Sequence, residues 1–253
     1  MRILILGGTA EARALTQALA VRAEYAATVS LAGRTAEPLP QAAPVRSGGF
    51  GGAEGLARYI RDASVDVLID ATHPFAAAIS ANAVRAAESA NVRLLALRRP
   101  PWSKVAGDTW TEVESVDQAV SVLGQARKRV FLALGRKELQ PFTAAPQHSY
   151  LVRSVDPVDP PLGVPHAAYI AARGPFSENE DRALLARHKI EVIVAKNSGG
   201  EATYSKIAAA RALGLPVVML KRPALPDVAS VATVEEVLDV LDHTLTLSTA
   251  RGV

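Results

Sequence analysis

The sequence contains no cysteine among its 253 residues. Disulfide bonds, thiolate nucleophiles, cysteine-ligated zinc and iron–sulfur clusters are therefore excluded. Aromatic residues make up only 5% of the chain, so the core must be built mainly from alanine, valine, leucine and isoleucine. No apolar run approaches the roughly 18 residues that a membrane-spanning helix needs, and the first apolar run is too short for a signal peptide. We therefore expect a cytoplasmic protein with no membrane partner.

Charge of either sign is also modest: charged residues make up 21% of the chain and the formal net charge is +3. The sequence has no long run of lysine and arginine and no interleaving of basic with aromatic residues, so we expect no nucleic-acid partner. This mild positive excess fits an anionic small ligand better. The five histidines form neither an H-x-H nor an H-E-x-x-H pattern, so we expect no bound metal.

Short apolar runs alternate with alanine-rich stretches of helical spacing along the chain. The apolar runs predict strands buried on both faces, and they are Ile3–Leu6, Thr28–Leu31, Val65–Ile69, Val92–Leu97, Val130–Leu134, Ala167–Ala171, Val192–Ala195 and Val217–Leu220. The clearest helical stretches are Ala12–Ala23, Glu54–Ala63, Ile79–Ser89, Glu178–Lys189 and Ser205–Leu213. Such alternation is typical of βαβ units and predicts a doubly wound α/β fold with mainly parallel sheets.

The chain also contains an internal repeat. Residues 65–70 and 190–195 have similar sequences, and each segment leads to a helix, a strand, a basic pair with proline, and a capped helix, at offsets of 118 to 125 residues. Chance similarity between two parallel-sheet segments is the alternative explanation. We predict two similar Rossmann-like domains, residues 1–125 and 126–253, with the ligand in a cleft between them at the carboxyl ends of the strands.

Two loops of the first half indicate a nucleotide site. The loop Gly7–Arg13 follows the first strand, where a glycine turn lets backbone N–H groups and a helix N-terminus approach a phosphate. Only Gly7 and Ala12 match the G-x-G-x-x-G/A spacing, so a plain tight turn is the alternative. After the second strand, Arg34 occupies the place where NAD-specific sites keep an acid, and a guanidinium suits a 2′-phosphate. This pattern favours NADPH over NADH, unless Arg34 is simply a solvated surface residue.

Two further loops of the first half carry glycine or polar groups. Residues 47–56 contain four glycines in five positions, which excludes a stable helix or strand interior and favours a ligand-contacting loop over a structureless linker. The segment Asp70–Phe75 ends the third buried strand, where polar groups line the crevice of a parallel sheet. Asp70 could instead cap the next helix, and His73 could be a turn residue.

The second half carries cations at its strand ends. The loop Lys196–Lys206 combines a glycine pair, hydroxyl groups, an amide and two lysines, and therefore suits an anion. Gly135–Lys137 and Arg173–Ser177 end two other strands. We expect these three strand ends to bind one polyanionic ligand, although any one of them alone is more often a solvated loop.

Five motifs, in order, resemble those of the precorrin-6A reductase family. They are Leu6–Arg13, Gly48–Gly52, Asp70–Ala76, Arg99-Pro100-x-Trp102 and Lys196–Lys206, and the resemblance runs from Arg2 to about Pro223. The resemblance implies hydride transfer from NADPH to a carbon–carbon double bond of the precorrin-6A macrocycle, giving precorrin-6B in cobalamin biosynthesis. The many carboxylates of that substrate agree with the basic loops of the second half. Transient contact with neighbouring pathway enzymes is a further expectation.

The loops and the resemblance together predict the residues of both sites. Cofactor-binding residues are expected in the first half: Gly7, Gly8, Thr9, Glu11, Ala12, Arg13, Gly33, Arg34, Thr35, Gly49, Asp70, Thr72 and His73. Substrate-binding residues are expected at Phe50, Arg136, Lys137, Arg173, Lys196, Asn197, Ser198, Gly199, Gly200, Thr203 and Lys206. The candidates for the proton donor are Lys196, His73 and Tyr204, and solvent is the alternative.

Three other functions stay open at this point. Some relatives act on the cobalt-containing macrocycle, and the sequence does not separate these from the metal-free reductases. A different NADPH-dependent reductase could act on another polycarboxylate. A dinucleotide-sensing module without catalysis would need an output surface, and the sequence contains neither a DNA-binding helix–turn–helix pattern nor a membrane partner segment.

Overall fold

The structure is a computed structural model that describes residues 1–33 and 37–250, except for the side chains of 248–250. Within these residues the strands are β1 Arg2–Leu6, β2 Ala26–Leu31, β3 Val45–Ser47, β4 Val67–Asp70, β5 Arg93–Leu97, β6 Trp110–Val113, β7 Arg129–Ala133, β8 Ser149–Ser154, β9 Ala167–Ala171, β10 Val192–Lys196, β11 Val217–Leu220 and β12 Ser230–Val231. The helices are α1 Ala10–Ala20, α2 Ala53–Asp62, α3 Ala77–Ala90, α4 Val116–Leu123, α5 Glu178–Arg187, α6 Ser205–Ala212 and α7 Val234–Ala250. The strands form two parallel sheets of six, which confirms the predicted α/β class.

The first compact unit comprises Met1–Pro100 and Pro223–Val253. Its sheet has the order β3-β2-β1-β4-β5-β12, which is the strand order of a dinucleotide-binding fold. The strand β1 is buried on both faces because its side chains alternate between two cores. Ile3 and Ile5 pack in one cluster with α1 and α7, whereas Leu4 and Leu6 pack in the other with α2 and α3.

The second unit comprises Pro101–Arg222 and repeats this arrangement. Its sheet has the order β9-β8-β7-β10-β11-β6. One core cluster of this unit joins Phe131 of β7, Ile193 of β10 and Met219 of β11 with Leu185 of α5 and Ile207 of α6. The helix α5 starts at a capping box, in which the Ser177 hydroxyl and the Glu180 carboxylate each accept a hydrogen bond from the other's backbone N–H.

The structure divides the chain differently from the predicted boundary between residues 125 and 126. The segment with β6 and α4 belongs to the second unit, because β6 pairs with β11. The segment with β12 and α7 belongs to the first unit, because β12 pairs with β5. The structure therefore retains the repeat that the sequence indicated. At each basic pair with proline, however, the chain passes from one sheet to the other. A sequence repeat does not specify which sheet an edge strand joins, so the boundary was misplaced.

The four strands that the apolar runs did not predict are short or flanked by polar residues. They are β3, β6, β8 and β12, and β3, β6 and β12 lie at the edges of their sheets.

In the described part of the chain, no helix has the length and hydropathy needed to cross a bilayer.

Candidate functional site

The first sheet has a topological switch point between β1 and β4. Leu6 of β1 lies beside Asp70 of β4, and the chain continues from these two strands to opposite sides of the sheet. The Thr9 hydroxyl donates to the carbonyl oxygen of Ala71 at 2.9 Å and accepts from the backbone N–H of Ala12 at 3.1 Å. Thr9 therefore caps α1 and ties the loop after β1 to the loop after β4. Ligands of doubly wound sheets bind at this kind of crevice.

The glycine turn before α1 leaves room for a ligand against the backbone. A Cβ on Gly7 would lie 3.0 Å from Cγ1 of Val29, so β2 restricts this position to glycine or demands a small shift. Gly8 has φ +114° and no neighbouring atom within 4 Å of a Cβ position, so its outer side is open. The first turn of α1 leaves backbone N–H groups without helical partners and carries partial positive charge. These features fit the pyrophosphate of a dinucleotide.

Three more predicted cofactor residues lie on the first turns of α1. Ala12 is buried and allows α1 to approach β1 closely, and Arg13 is half-buried beside it. Glu11 forms an ion pair with Nη1 of Arg99, and both side chains are mostly covered. An acid at a phosphate-binding helix start would repel the ligand, so the pairing with Arg99 neutralises that charge.

The glycine loop after β3 is organised by Arg46, which the sequence analysis missed. The guanidinium donates to the carbonyl oxygens of Gly48 and Gly49 and lies 3.7 Å from the centroid of the Phe50 ring. Phe50 also packs edge-on against Tyr59 of α2, at 5.3 Å between ring centroids. Phe50 thus anchors the loop in the first unit, where the sequence analysis predicted a substrate contact. The only sequence signal for this role of Arg46 was its position two residues before a glycine run.

Gly33 lies beside this loop, because its Cβ position is 3.5 Å from the backbone nitrogen of Gly48. Its φ of +68° lies in the left-handed region that favours glycine. Arg34 and Thr35 lie outside the described residues.

Asp70 organises the loop after β4 rather than presenting a free carboxylate. It is 5% exposed, and its two oxygens accept from the backbone N–H and hydroxyl of Thr72 and from the hydroxyl of Ser80. Nδ1 of His73 accepts from the backbone N–H of Phe75 at 3.2 Å, so a neutral His73 carries its proton on Nε2. Asp70 is thus a local support for the loop that holds His73. It does not cap α3, because the N-cap of that helix is Ala76 and no side chain caps it.

The second sheet has its switch point between β7 and β10. Lys196 ends β10, and its Nζ lies 2.6 Å from Oε1 of Glu138 in the 3-10 turn Arg136–Glu138 after β7. Their side chains are 15% and 30% exposed, respectively. A Cβ on Gly135 would overlap Oε2 of Glu138, so the glycine leaves space for this carboxylate. Sequence reasoning identified Lys196 and missed Glu138.

The loop after Lys196 is clamped by Trp102 and Arg222. The Asn197 amide accepts from the backbone N–H of Trp102 and donates to its carbonyl oxygen, at 2.7 and 2.9 Å. The indole N–H of Trp102 donates to the carbonyl oxygen of Gly200, and Arg222 donates to the carbonyl oxygens of Asn197 and Ser198. Asn197 was expected to contact substrate, whereas its amide is occupied by the backbone of Trp102. The two basic-pair motifs thus have similar roles, since Arg99 pairs with Glu11 in the first turn of α1 and Arg222 holds the loop after β10.

The predicted substrate ligand Lys206 is 95% buried at the start of α6. Its Nζ donates to the carbonyl oxygen of Thr203 and lies 5.0 Å from the ring centroid of Trp102. Burial, together with the positive charge of Arg153, lowers the pKa of Lys206 to about 7, although the charge of Asp181 opposes the shift. Asp181 is itself buried and accepts from Arg153 and from the hydroxyl of Ser205. Arg153 therefore pairs with the buried carboxylate of Asp181, and Lys206 feels both charges without an ion pair of its own to Asp181.

The remaining predicted residues of the second unit differ in exposure. Arg136, Lys137 and Arg173 are exposed, and Nη2 of Arg136 lies 3.8 Å from Asp156. Gly199 and Gly200 both have positive φ, at +66° and +72°, and Ser198 and Thr203 are half-buried. The Tyr204 hydroxyl accepts from Arg211 at 3.0 Å. Accepting this bond leaves the proton of the Tyr204 hydroxyl available for donation, so the contact does not exclude Tyr204 as a proton donor.

The comparisons with known proteins agree with the motifs. The family model described as "Precorrin-6x reductase CbiJ/CobK" matches residues 2–242. The chain is 56% identical over 244 residues to a precorrin-6A reductase of Sinorhizobium sp, covering 96% of this chain and 94% of that protein. It is 49% identical over 253 residues to the precorrin-6A reductase of Rhodobacter capsulatus, covering 100% and 99%. A solved structure named "CobK precorrin-6A reductase" superposes with a TM-score of 0.93 at 48% identity and 96% coverage of each chain. The resemblance predicted from the five motifs is confirmed, and the chain belongs to the precorrin-6x reductase family.

Proposed function

We propose that this chain is an NADPH-dependent precorrin-6A reductase that reduces one double bond of the macrocycle to give precorrin-6B. Family membership supports the reductase activity and the tetrapyrrole substrate. The observation that carries the cofactor part is the open turn at Gly7 and Gly8 before the N-terminus of α1, at the switch point of a sheet with dinucleotide-binding order. When bound, NADPH supplies the hydride. We also propose that the reaction takes place in the cytoplasm and that the protein makes transient contact with the enzymes that precede and follow it in the pathway.

The residues of the first unit bind and orient the nucleotide. The N-terminus of α1 holds the pyrophosphate, and Thr9 keeps this helix start fixed against the loop after β4. Arg46 fixes the conformation of the glycine loop by donating to the carbonyl oxygens of Gly48 and Gly49. Because glycine has no side chain, the loop presents its backbone to the ligand. These contacts fix the geometry before the ligand arrives, and such preorganisation lowers the barrier to transfer.

The residues of the second unit bind the macrocycle and move the proton. Arg136, Lys137 and Arg173 are exposed cations that suit substrate carboxylates, since a partly desolvated carboxylate needs a charged partner. The Lys196 ammonium donates the proton to the reduced macrocycle. It has the necessary chemistry, partial burial and a position at the switch point of its sheet. His73 is the alternative donor, because its Nε2 carries the proton of the neutral ring.

The test is to mix the protein with NADPH and precorrin-6A and follow the absorbance of the reduced nicotinamide. An enzyme consumes many equivalents of NADPH per protein and yields a macrocycle two hydrogens heavier, whereas a dinucleotide sensor changes at most one equivalent. A parallel reaction with cobalt-precorrin-6A distinguishes the two reductase specificities. Absence of turnover with both macrocycles would contradict the proposal and favour a reductase of another polycarboxylate or a sensor.

Cofactor choice is tested with Arg34→Ala. A charge-assisted contact to the 2′-phosphate is worth roughly 1.5–3 kcal/mol, or about ten- to a hundredfold in affinity. We therefore expect Arg34→Ala to weaken NADPH binding by that factor while NADH binding changes little, as measured by fluorescence titration. The control is Arg58→Ala, which removes an exposed arginine from α2 of the same unit. Equal losses for both nucleotides in Arg34→Ala would reject the assignment of Arg34.

A further inference from the structure

The ion pair between Lys196 and Glu138 is built into the second sheet. β7 and β10 are neighbouring parallel strands, and Ala195 of β10 lies beside Ala133 of β7. The chain after Ala133 makes the turn that carries Glu138, and the backbone N–H of Glu138 donates to the carbonyl oxygen of Gly135 at 3.0 Å. Lys196 follows Ala195 directly. The pair is therefore fixed by two adjacent strand ends rather than by flexible surface chains.

The residue at position 135 determines whether the Glu138 carboxylate has room beside the backbone. Gly135 leaves room for Oε2 of Glu138, because a Cβ there would overlap this oxygen. The φ of Gly135 is −75°, which any residue adopts, so the backbone conformation does not require glycine. The space that this glycine leaves is thus filled by the Glu138 carboxylate, and an alanine at position 135 would displace that group.

The ion pair with Glu138 makes Lys196 less suited to bind a substrate carboxylate. Paired at 2.6 Å, the ammonium and the carboxylate have no net charge together, so a substrate carboxylate that approached Lys196 would meet Glu138 as well. The exposed cation Lys137 is better placed to bind such a group. A lysine held by a carboxylate that reaches solvent is instead suited to regain a proton after it has given one, because the carboxylate favours the ammonium form.

We propose that Glu138 is a positioning residue that holds the Lys196 ammonium at the switch point of the second sheet and returns a proton to it after each turnover. This inference rests on the proposed function. As the hydride adds to one carbon of the macrocycle double bond, the electron pair of that bond moves onto the conjugated system. A Lys196 N–H bond breaks and its proton neutralises that charge. The resulting amine regains a proton from water through the Glu138 carboxylate, so the net consumption is one NADPH and one proton.

The experiment compares wild type with Glu138→Gln, which keeps the shape and a hydrogen-bond acceptor and removes the charge. We expect kcat with precorrin-6A and NADPH to fall by about tenfold, as for partial loss of general acid catalysis, and the tetrapyrrole KM to change by less than about twofold. The solvent deuterium isotope effect on kcat should rise, because proton delivery becomes slower than hydride transfer. Glu138→Asp, which retains the carboxylate, should recover part of kcat.

A second variant and a control keep the test decisive. Gly135→Ala leaves Glu138 in the sequence and displaces its carboxylate, so it should lower kcat and raise the solvent isotope effect in the same direction. Glu114→Gln removes the carboxylate of an exposed ion pair with Lys221 in the same unit, at 2.7 Å, and should match wild type. Circular dichroism melts and NADPH titrations of each variant show whether the fold and the first unit are intact.

Two outcomes in an active enzyme would overturn the inference alone. Unchanged kcat and isotope effect in Glu138→Gln would show that the carboxylate does not act through Lys196. A lower tetrapyrrole KM with unchanged kcat would show that Glu138 competes with a substrate carboxylate for Lys196, which is then a binding residue. If wild type itself consumes no NADPH with either macrocycle, the proposed function fails and the inference with it. If wild type is active, the Glu138 variants test the inference alone.

Discussion

At the scale of single residues, His148 is a buried titratable group outside both candidate sites. It has no exposed surface and lies between the end of the 3-10 turn Gln140–Ala144 and β8. Its Nδ1 accepts from the backbone N–H of Lys128 at 3.2 Å, so protonation of Nδ1 would break this contact. Burial lowers the pKa of His148 below its usual 6.5, and the nearby charge of Lys128 lowers it further.

The sign of the resulting pH dependence is fixed by this shift. Because the pKa of His148 is lower in the folded chain, the unfolded chain binds the proton first as pH falls below about 6.5. Stability from the neutral ring is therefore complete above that pH and is lost below it, by at most about 1.4 kcal/mol per pH unit for one proton. Urea unfolding between pH 7 and 5 measures this slope.

Two variants separate His148 from the other groups that titrate in this range. His148→Asn supplies an amide oxygen to the Lys128 N–H, and we expect lower stability at pH 7 but a flatter decline toward pH 5. His166→Gln removes an exposed histidine and should keep the wild-type slope. The explanation is refuted if His148→Asn retains the full slope.

The sequence predicted which residues gather at the strand ends better than it predicted their roles. Thr9, Lys196 and Gly8 lie where the loops indicated, because position after a buried strand specifies the carboxyl edge. The roles of Asp70 and Asn197 were not predictable, since each side chain is occupied by a partner that the fold supplies. Glu138 had no sequence signal at all, because its pairing with Lys196 spans 58 residues.

At the scale of elements, the glycine loop differs in tolerance from one position to the next. Gly48, Gly51 and Gly52 have positive φ between +78° and +106°, which a β-branched side chain cannot adopt without strain. Gly49 has no such φ and has open space around its Cβ position. Gly49 is therefore the position in this loop where a side chain can be added without disturbing the fold.

Gly49→Val tests whether the loop contacts a ligand. We expect a melting temperature within about 2 °C of wild type, because a surface change of this kind costs within about 0.5 kcal/mol. Turnover should fall by about tenfold or more if the valine occupies the ligand's place. Gly51→Val, with φ +78° in the parent, is the matched control for strain and should lower the melting temperature. Normal turnover in a stable Gly49→Val protein would assign the loop another role.

Elements with a continuous apolar run were predicted well, including the edge strand β9, whereas the edge strands β3, β6 and β12 were not predicted. The strands β1, β4, β10 and β11 are buried on nearly every residue, so their sequences carry an unmistakable hydrophobic signal. The strand β12 has two residues and β3 has three, and both are largely exposed. Their strand conformation comes from pairing with a neighbour, which a local sequence window does not contain.

At the scale of the whole molecule, the repeat explains both the success and the error of the domain prediction. The two sheets share a spatial arrangement, but the edge strand β12 comes last in the sequence of the first unit, whereas the edge strand β6 comes first in the sequence of the second. A capped helix follows each of these two strands. The two crossings lie between Pro100 and Pro101 and between Arg222 and Pro223. At these points Arg99 pairs with Glu11 of α1, and Arg222 holds the loop after β10. Hydrophobic periodicity is the same on either side of such a crossing. The position of the crossing is therefore visible in the structure and not in the sequence pattern.

The assignment of the nucleotide to the first unit and the macrocycle to the second can be tested by amide hydrogen exchange. Backbone N–H groups that gain a hydrogen bond to a ligand exchange more slowly. NADPH alone should therefore slow exchange in residues 7–13 and 47–52, and leave residues 135–138 and 197–204 unchanged. Precorrin-6A alone should give the opposite pattern.

Arg34→Ala provides the internal control, because at a fixed NADPH concentration it should reduce protection only in the first unit. The same ligand then protects less at residues 7–13 while the exchange in residues 197–204 stays at the unliganded rate. Protection of residues 197–204 by NADPH alone would reverse the two assignments. Protection of both loop sets by NADPH alone would mean that the second unit senses the nucleotide as well, and the independent binding of the two ligands would then be wrong.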